Sequence, residues 1–276
     1  MGLRIKTNVQ SIIAQHKLDD NISKLDATQN RLASGQAIVT AKDDAAGLAI
    51  SENLRNTMRS TGQNIKNTQN AGFMLQTADN AIGEITNIVI RMKELAVQAA
   101  SDTNGDKERG YLNHEYQALK SELDRISDSA LFNGRPLLNG AGESIAIQVG
   151  PNNNSNIDRI EVAADFNINT NSLGLSELGI TSSEGAREAL EPIASALERI
   201  AGVRGSIGAS ESRLETTLRN LMVYEENIAG AYSKIRDADI AAETAEYAKT
   251  NILNQANVAV LAQANQMPAL ALKLLN

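Results

Sequence analysis

The stretch LEPIASALERIAGVRGSIGASESRLETTLRNLMVYEENIAGAYSKI, residues 190–235, places Ile193, Ile200, Ile207, Leu214, Leu221, Ile228 and Ile235 at intervals of seven. A seven-residue apolar repeat held this long is the signature of one long helix carrying a bundle or coiled-coil seam. The companion register holds Leu190, Leu197, Arg204, Glu211, Leu218, Glu225 and Tyr232. At the helical rise per residue the segment extends roughly 60 Å, a length that predicts a rod.

Partners for that helix lie upstream. A second helix is expected over residues 46–100, with Leu75, Ile82, Val89 and Ala96 in one register and Ala78, Ile85, Met92 and Ala99 in the other. A third carries Leu112, Leu119 and Ile126 beside Tyr116, Leu123 and Ala130. SDTNGDKERG, residues 101–110, reads as the turn between them. Three such helices can close on one another. Between residues 131 and 180 the period changes. LFNGRPLLNG contains Asn-Gly at 133 and 139, and SIAIQVG and IDRIEVA alternate around PNNNSN, which predicts a β-hairpin. The fold class is therefore mainly α: an elongated antiparallel helical rod or coiled-coil bundle with a small β-hairpin region near the middle of the chain.

The chain ends carry narrower stripes. Leu18, Ile22, Leu25, Gln29 and Leu32 trace one, and Leu253, Val260, Met267 and Leu274 trace another at heptad spacing. They are expected to pair. Pro268 should kink the last helix near residue 264.

Composition narrows function. Of 276 residues only 3% are aromatic, with no Trp, three Phe and four Pro, so a core built on large anchors is unsupported. The net charge of −7 opposes binding to nucleic acid. Without cysteine there is no disulfide, thiolate zinc site or cysteine nucleophile. No run approaches the ~20 apolar residues needed to insert across a membrane. MGLRIKTNVQ lacks the apolar segment of a cleaved signal, which on its own predicts a cytoplasmic protein.

Chemistry-bearing patterns are incomplete. His114-Glu115 begins a zinc-protease motif, but Ala118 stands where the second ligand belongs, and His16 is the other histidine. Gly202, Gly205 and Gly208 follow no strand and precede no Gly-Lys-Ser/Thr, so close helix packing or local flexibility explains them better than nucleotide binding. In AKDDAAG, residues 41–47, Asp43 or Asp44 is expected to cap a helix start rather than serve acid–base chemistry. No enzyme, cofactor or metal is expected.

RLASGQAIVTAKDDAAGLAISENLR (31–55), IRMKELAVQAASDTN (90–104), SELDRISDSALFNGRPLL (121–138), SKIRDADIAAE (233–243) and VLAQANQMPALALKLL (260–275) together resemble bacterial flagellin. The resemblance covers nearly the whole chain. It implies a structural subunit that polymerises with copies of itself into the flagellar filament for motility. It also implies export through the flagellar type III apparatus with an export chaperone, assembly under a filament cap, and an extracellular location in place of the cytoplasmic one. Residues 1–45 and 236–276 would then build the inner-tube domain, and residues 46–180 and 181–235 the helical core domain. Only about 50 residues separate the helical halves, which resembles a short form without large outer domains.

The implied polymerisation seam is Leu18, Ile22, Leu25, Leu32, Leu253, Val260, Met267 and Leu274. Resemblance to flagellins recognised by Toll-like receptor 5 points to Arg91, Leu95 and Glu115 as receptor contacts. Thr170, Ser172, Thr181, Ser182 and Ser183 fall in a segment expected to be exposed and open to modification. A hook–filament junction protein and a helical coiled-coil binding module are the competing readings.

Overall fold

Helix α1, Val9–Ser34, starts where the Asn8 side chain accepts the Ser11 amide and ends where Gly35 turns left-handed at φ 68, its N–H bonded to Arg31 O. The computed structural model describes residues 7–141, 144–162 and 166–273, with side chains through Met267. Helix α2 (Ala45–Ala99) and α3 (Asp106–Ser129) follow, then strands β1 (Leu131–Phe132), β2 (Arg135–Pro136), β3 (Ile145–Gln148) and β4 (Arg159–Val162). Helices α4 (Ser183–Arg236) and α5 (Ile240–Lys273) complete the chain. Two compact units result: residues 1–58 with 227–276, and residues 59–226.

In the central unit one core draws on α2, α3, α4 and the strand segment. All eight expected α2 positions, Leu75 to Ala99, are buried. On α3, Tyr116, Leu123 and Ala130 are buried and Leu112, Leu119 and Ile126 pack at the margin. On α4, Ile193, Ile200, Ile207 and Leu214 are buried as the heptad requires. The companion register is displaced by one residue. Ala189 and Ala196 are fully buried, whereas Leu190 and Leu197 lie at the edge. Small side chains at the seam let helix axes approach, and the larger leucines cover the flank. Arg204, out of place in an apolar register, sits on that rim and grips Asp79 through two bonds of 2.9 and 3.1 Å.

The turn after α2 is shorter than expected, because Asp106–Gly110 joins α3. Asp106 and Glu108 occupy the first turn, where the helix dipole favours acids. The buried Arg109 guanidinium reaches back to Ala99 O at 2.9 Å and Ser101 O at 3.2 Å. β1 and β2 pair over Asn133-Gly134 at φ 50 and 78, both left-handed as a type I′ turn demands. β3 and β4 form the antiparallel hairpin, in register from Ile145 opposite Val162 to Gln148 opposite Arg159.

The segment leading back to α4 is clamped rather than free. One polar face of α3 serves its main chain: Asn113 accepts Ile180 N, Gln117 and Lys120 donate to Leu178 O, and Asp124 accepts the Thr170 amide and hydroxyl. Ser127 donates to Leu138 O. Thr170 is consequently buried. Ser172 is engaged in local bonds and Ser183 donates to Asp102, whereas Thr181 and Ser182 are exposed. Gly202, Gly205 and Gly208 lie on the exposed face of α4, and a Cβ on any of them would meet nothing within 4 Å. Close packing within the subunit is not their role. Helix α5 is unbroken near residue 264 and continues through Pro268.

Candidate assembly surface

The unit holding both chain ends is built on α1 and α5, which run antiparallel. Asn8 Nδ2 donates to Ala264 O at 2.8 Å, Ser11 Oγ to Asn265 Oδ1 at 2.8 Å, and Asn257 Nδ2 to Lys17 O at 3.4 Å. At the far end Arg31 pairs with Glu243 at 3.2 Å. The inward positions keep heptad spacing: Ser11, Ala14, Leu18, Asn21, Leu25, Thr28 and Leu32 on α1, and Tyr247, Thr250, Asn254, Asn257, Leu261 and Ala264 on α5. Most are small or polar, and the Asn254 Oδ1 atom is buried without a hydrogen-bond partner.

Most of the large aliphatic side chains face outward. Val9, Ile12, Ile13 and Ile22 on α1 and Ile252, Leu253, Val258, Val260 and Met267 on α5 are 41–66% exposed. The expected seam is thereby divided. Leu18, Leu25 and Leu32 enter the α1–α5 contact and are half-buried, while Ile22, Leu253, Val260 and Met267 stand on the outer face. Leu274 lies outside the described residues. Pairing of the α5 stripe with α1 is therefore corrected: the positions turned to α1 are the Thr250, Asn254 and Asn257 register. An arrangement with several polar groups inside and most large apolar groups outside leaves much of the apolar surface of this pair uncovered.

Beside the pair, two connecting segments hold each other. Ala37 N donates to Arg236 O at 2.8 Å and Ala238 N to Gly35 O at 2.9 Å, around a bridge between Gln36 and Asp237. The buried Arg236 guanidinium donates to Gln36 Oε1 at 3.1 Å and Ser51 Oγ at 3.2 Å. Of the two expected aspartates Asp44 caps the helix, while Asp43 closes the turn before it. Asp44 Oδ1 accepts Ala46 N and Gly47 N at the start of α2. Asp43 accepts the Thr40 amide and hydroxyl and the Val39 amide, and these bonds, the Thr40 amide first, hold its carboxyl below the ordinary range. Asp239 Oδ1 accepts Ala241 N and Ala242 N at the start of α5. Sequence reasoning did not single out Asp239 or Arg236, although an aspartate just before Ile-Ala-Ala-Glu is a recognisable helix start.

The receptor candidates separate as well. Arg91 and Glu115 are exposed and joined at 2.9 Å, with Glu94 also on Arg91; hydrogen bonds to Glu94 and then Glu115 raise the guanidinium pKa. Leu95 is fully buried in the central core and presents no side chain at the surface. Among the described residues no group of three or more His, Cys, Asp or Glu is placed to hold a metal ion, and no helix is long and apolar enough to cross a membrane.

Helical chain ends that present apolar faces, flanking a helical centre with short hairpins, define a class of subunit suited to ordered assembly. Residues 5–143 match the bacterial flagellin N-terminal helical region and residues 190–275 the bacterial flagellin C-terminal helical region. The chain is 38% identical over 271 residues to a flagellin of Halalkalibacterium halodurans, covering 98% of this chain and 99% of that one. It is 33% identical over 312 residues to a flagellin of Bacillus subtilis, covering 99% and 100%. The crystal structure of Bacillus cereus flagellin superposes with a TM-score of 0.51 at 32% identity, over 56% of this chain and 88% of that one. The chain belongs to the bacterial flagellin family, whose members are structural subunits of the flagellar filament that serves motility.

Proposed function

We propose that this chain polymerises with copies of itself into an extracellular flagellar filament, using the outer faces of α1 and α5 as its main assembly surface. The observation that carries this reading is the exposed row Leu253, Val260 and Met267 on a helix whose inward positions include the polar Thr250, Asn254 and Asn257. A helix pair with its large apolar residues outside gains most when further copies cover them, and repetition along a helical lattice turns modest contacts into a stiff polymer. Residues 1–45 and 236–276 then form the inner tube and residues 46–235 the surrounding shell. Delivery is through the flagellar type III apparatus with an export chaperone, and assembly takes place under the filament cap. The role is structural, without catalysis. Recognition by Toll-like receptor 5 would centre on the Arg91–Glu115 pair, Leu95 contributing only to the fold beneath it.

Deleting residues 254–276 tests the reading. The truncated protein should retain the cooperative melting of the central unit and form no filaments by electron microscopy. Normal filaments from it would overturn the proposal.

A further inference from the structure

We infer that Asn133 is a site of spontaneous covalent modification: in the native protein it converts to aspartate and isoaspartate ahead of the other two asparagines that precede glycine, Asn104 and Asn139. In this chemistry the backbone nitrogen of the following glycine attacks the asparagine Cγ. The Cγ–Nδ2 bond breaks, the amide proton goes to the departing nitrogen, and ammonia leaves. Water then opens the resulting cyclic imide at either carbonyl, giving aspartate or isoaspartate. The reaction needs a side-chain amide free to rotate, a following N–H free to give up its proton, and access to water.

The three sequences are alike; their surroundings are not. Asn133 and Gly134 sit at the exposed tip of the β1–β2 turn, and among the described residues neither the Asn133 side chain nor the Gly134 N–H has a hydrogen-bond partner. At the second site Gly140 N is held by Phe166 O at 3.2 Å, and Asn139 Oδ1 accepts Ala141 N at 3.0 Å. At the third, Asn104 Nδ2 is anchored on Gln98 O. Breaking one such bond before attack slows a reaction by roughly two- to twelvefold, so the two tethered sites should lag Asn133 by a factor in that range.

The two products differ in consequence. Asp-Gly satisfies the same left-handed turn as Asn-Gly, so aspartate leaves the hairpin intact. It places a new carboxylate beside Arg135 on the rim of a groove of about 360 Å³ floored by Met74, Phe132 and Ile147. Isoaspartate inserts a methylene into the main chain and cannot keep the two-residue turn.

The test is to incubate the purified full-length protein at mildly alkaline pH, native and in urea, and to follow the three peptides by mass spectrometry with enzymatic isoaspartate labelling. In urea the three sites should convert at similar rates. In the native protein the Asn133 peptide should convert at least about twofold faster than either other peptide. Native conversion of Asn104 or Asn139 at the rate of Asn133, or an Asn133 that stays intact while the urea sample converts, would overturn the inference. An Asn133→Asp variant, expected to keep wild-type melting, checks that the aspartate product is tolerated by the turn.

Discussion

Replacing Gly202, Gly205 and Gly208 together by alanine should stabilise the central unit. Each lies in the interior of α4 with helical backbone, each is exposed, and a Cβ at any of them has open space to 4 Å. Glycine in a helix interior costs about 0.5–1 kcal/mol relative to alanine because the unfolded chain loses more freedom. With no shared packing partner the three effects should nearly add, giving about 1.5–3 kcal/mol. Domains of about 150–250 residues shift by about 2–4 °C per kcal/mol, so the melting temperature should rise by roughly 3–12 °C. Circular dichroism melting of unpolymerised protein measures this. An unchanged or lowered melting temperature would refute the reasoning, since it would mean that the glycine face is packed within the subunit. A raised melting temperature with impaired polymerisation would place that face against another copy.

Other outcomes follow from single groups. Burial pushes the Tyr116 phenol up to about 12, against about 10 for an unfolded tyrosine. Between those values the unfolded chain binds fewer protons than the folded one, so stability should fall as pH rises through the window, by about 2–3 kcal/mol at its upper end. Tyr116→Phe should abolish that alkaline decline in denaturant melts. At neutral pH it should leave stability equal or higher by up to about 1 kcal/mol, because the hydroxyl removed has no partner among the described residues. Asp44→Ala should cost about 1 kcal/mol in the same assay by releasing two amides at the start of α2.

Much of the fold was legible because large apolar side chains recur with helical period and bury where they recur. The α2 registers and the Ile193–Leu214 series are buried as their spacing requires. The α4 companion register was misplaced because pattern reading favours leucine over alanine, whereas close helix contact favours Ala189 and Ala196. A related bias hid the α1–α5 contact. Thr250, Asn254 and Asn257 have the spacing of a seam, but a search for apolar residues selects Leu253, Val260 and Met267 on the other face. The polar clamp of α3 escaped for the same reason, although Asn113, Gln117, Lys120, Asp124 and Ser127 keep the spacing of one helical face. The receptor motif carried Arg91 and Glu115 to the surface, yet the heptad adjoining it buries Leu95.

The central claim, that the outer face of α5 is held for neighbouring copies, is tested most directly by polymerising a Leu253→Ser, Val260→Ser double variant and scoring filaments by electron microscopy. Both side chains are about half exposed in the subunit, so monomer melting should match wild type within about 1 kcal/mol, while filament yield falls by an order of magnitude or more. Filaments of normal yield and form from that variant would contradict the account.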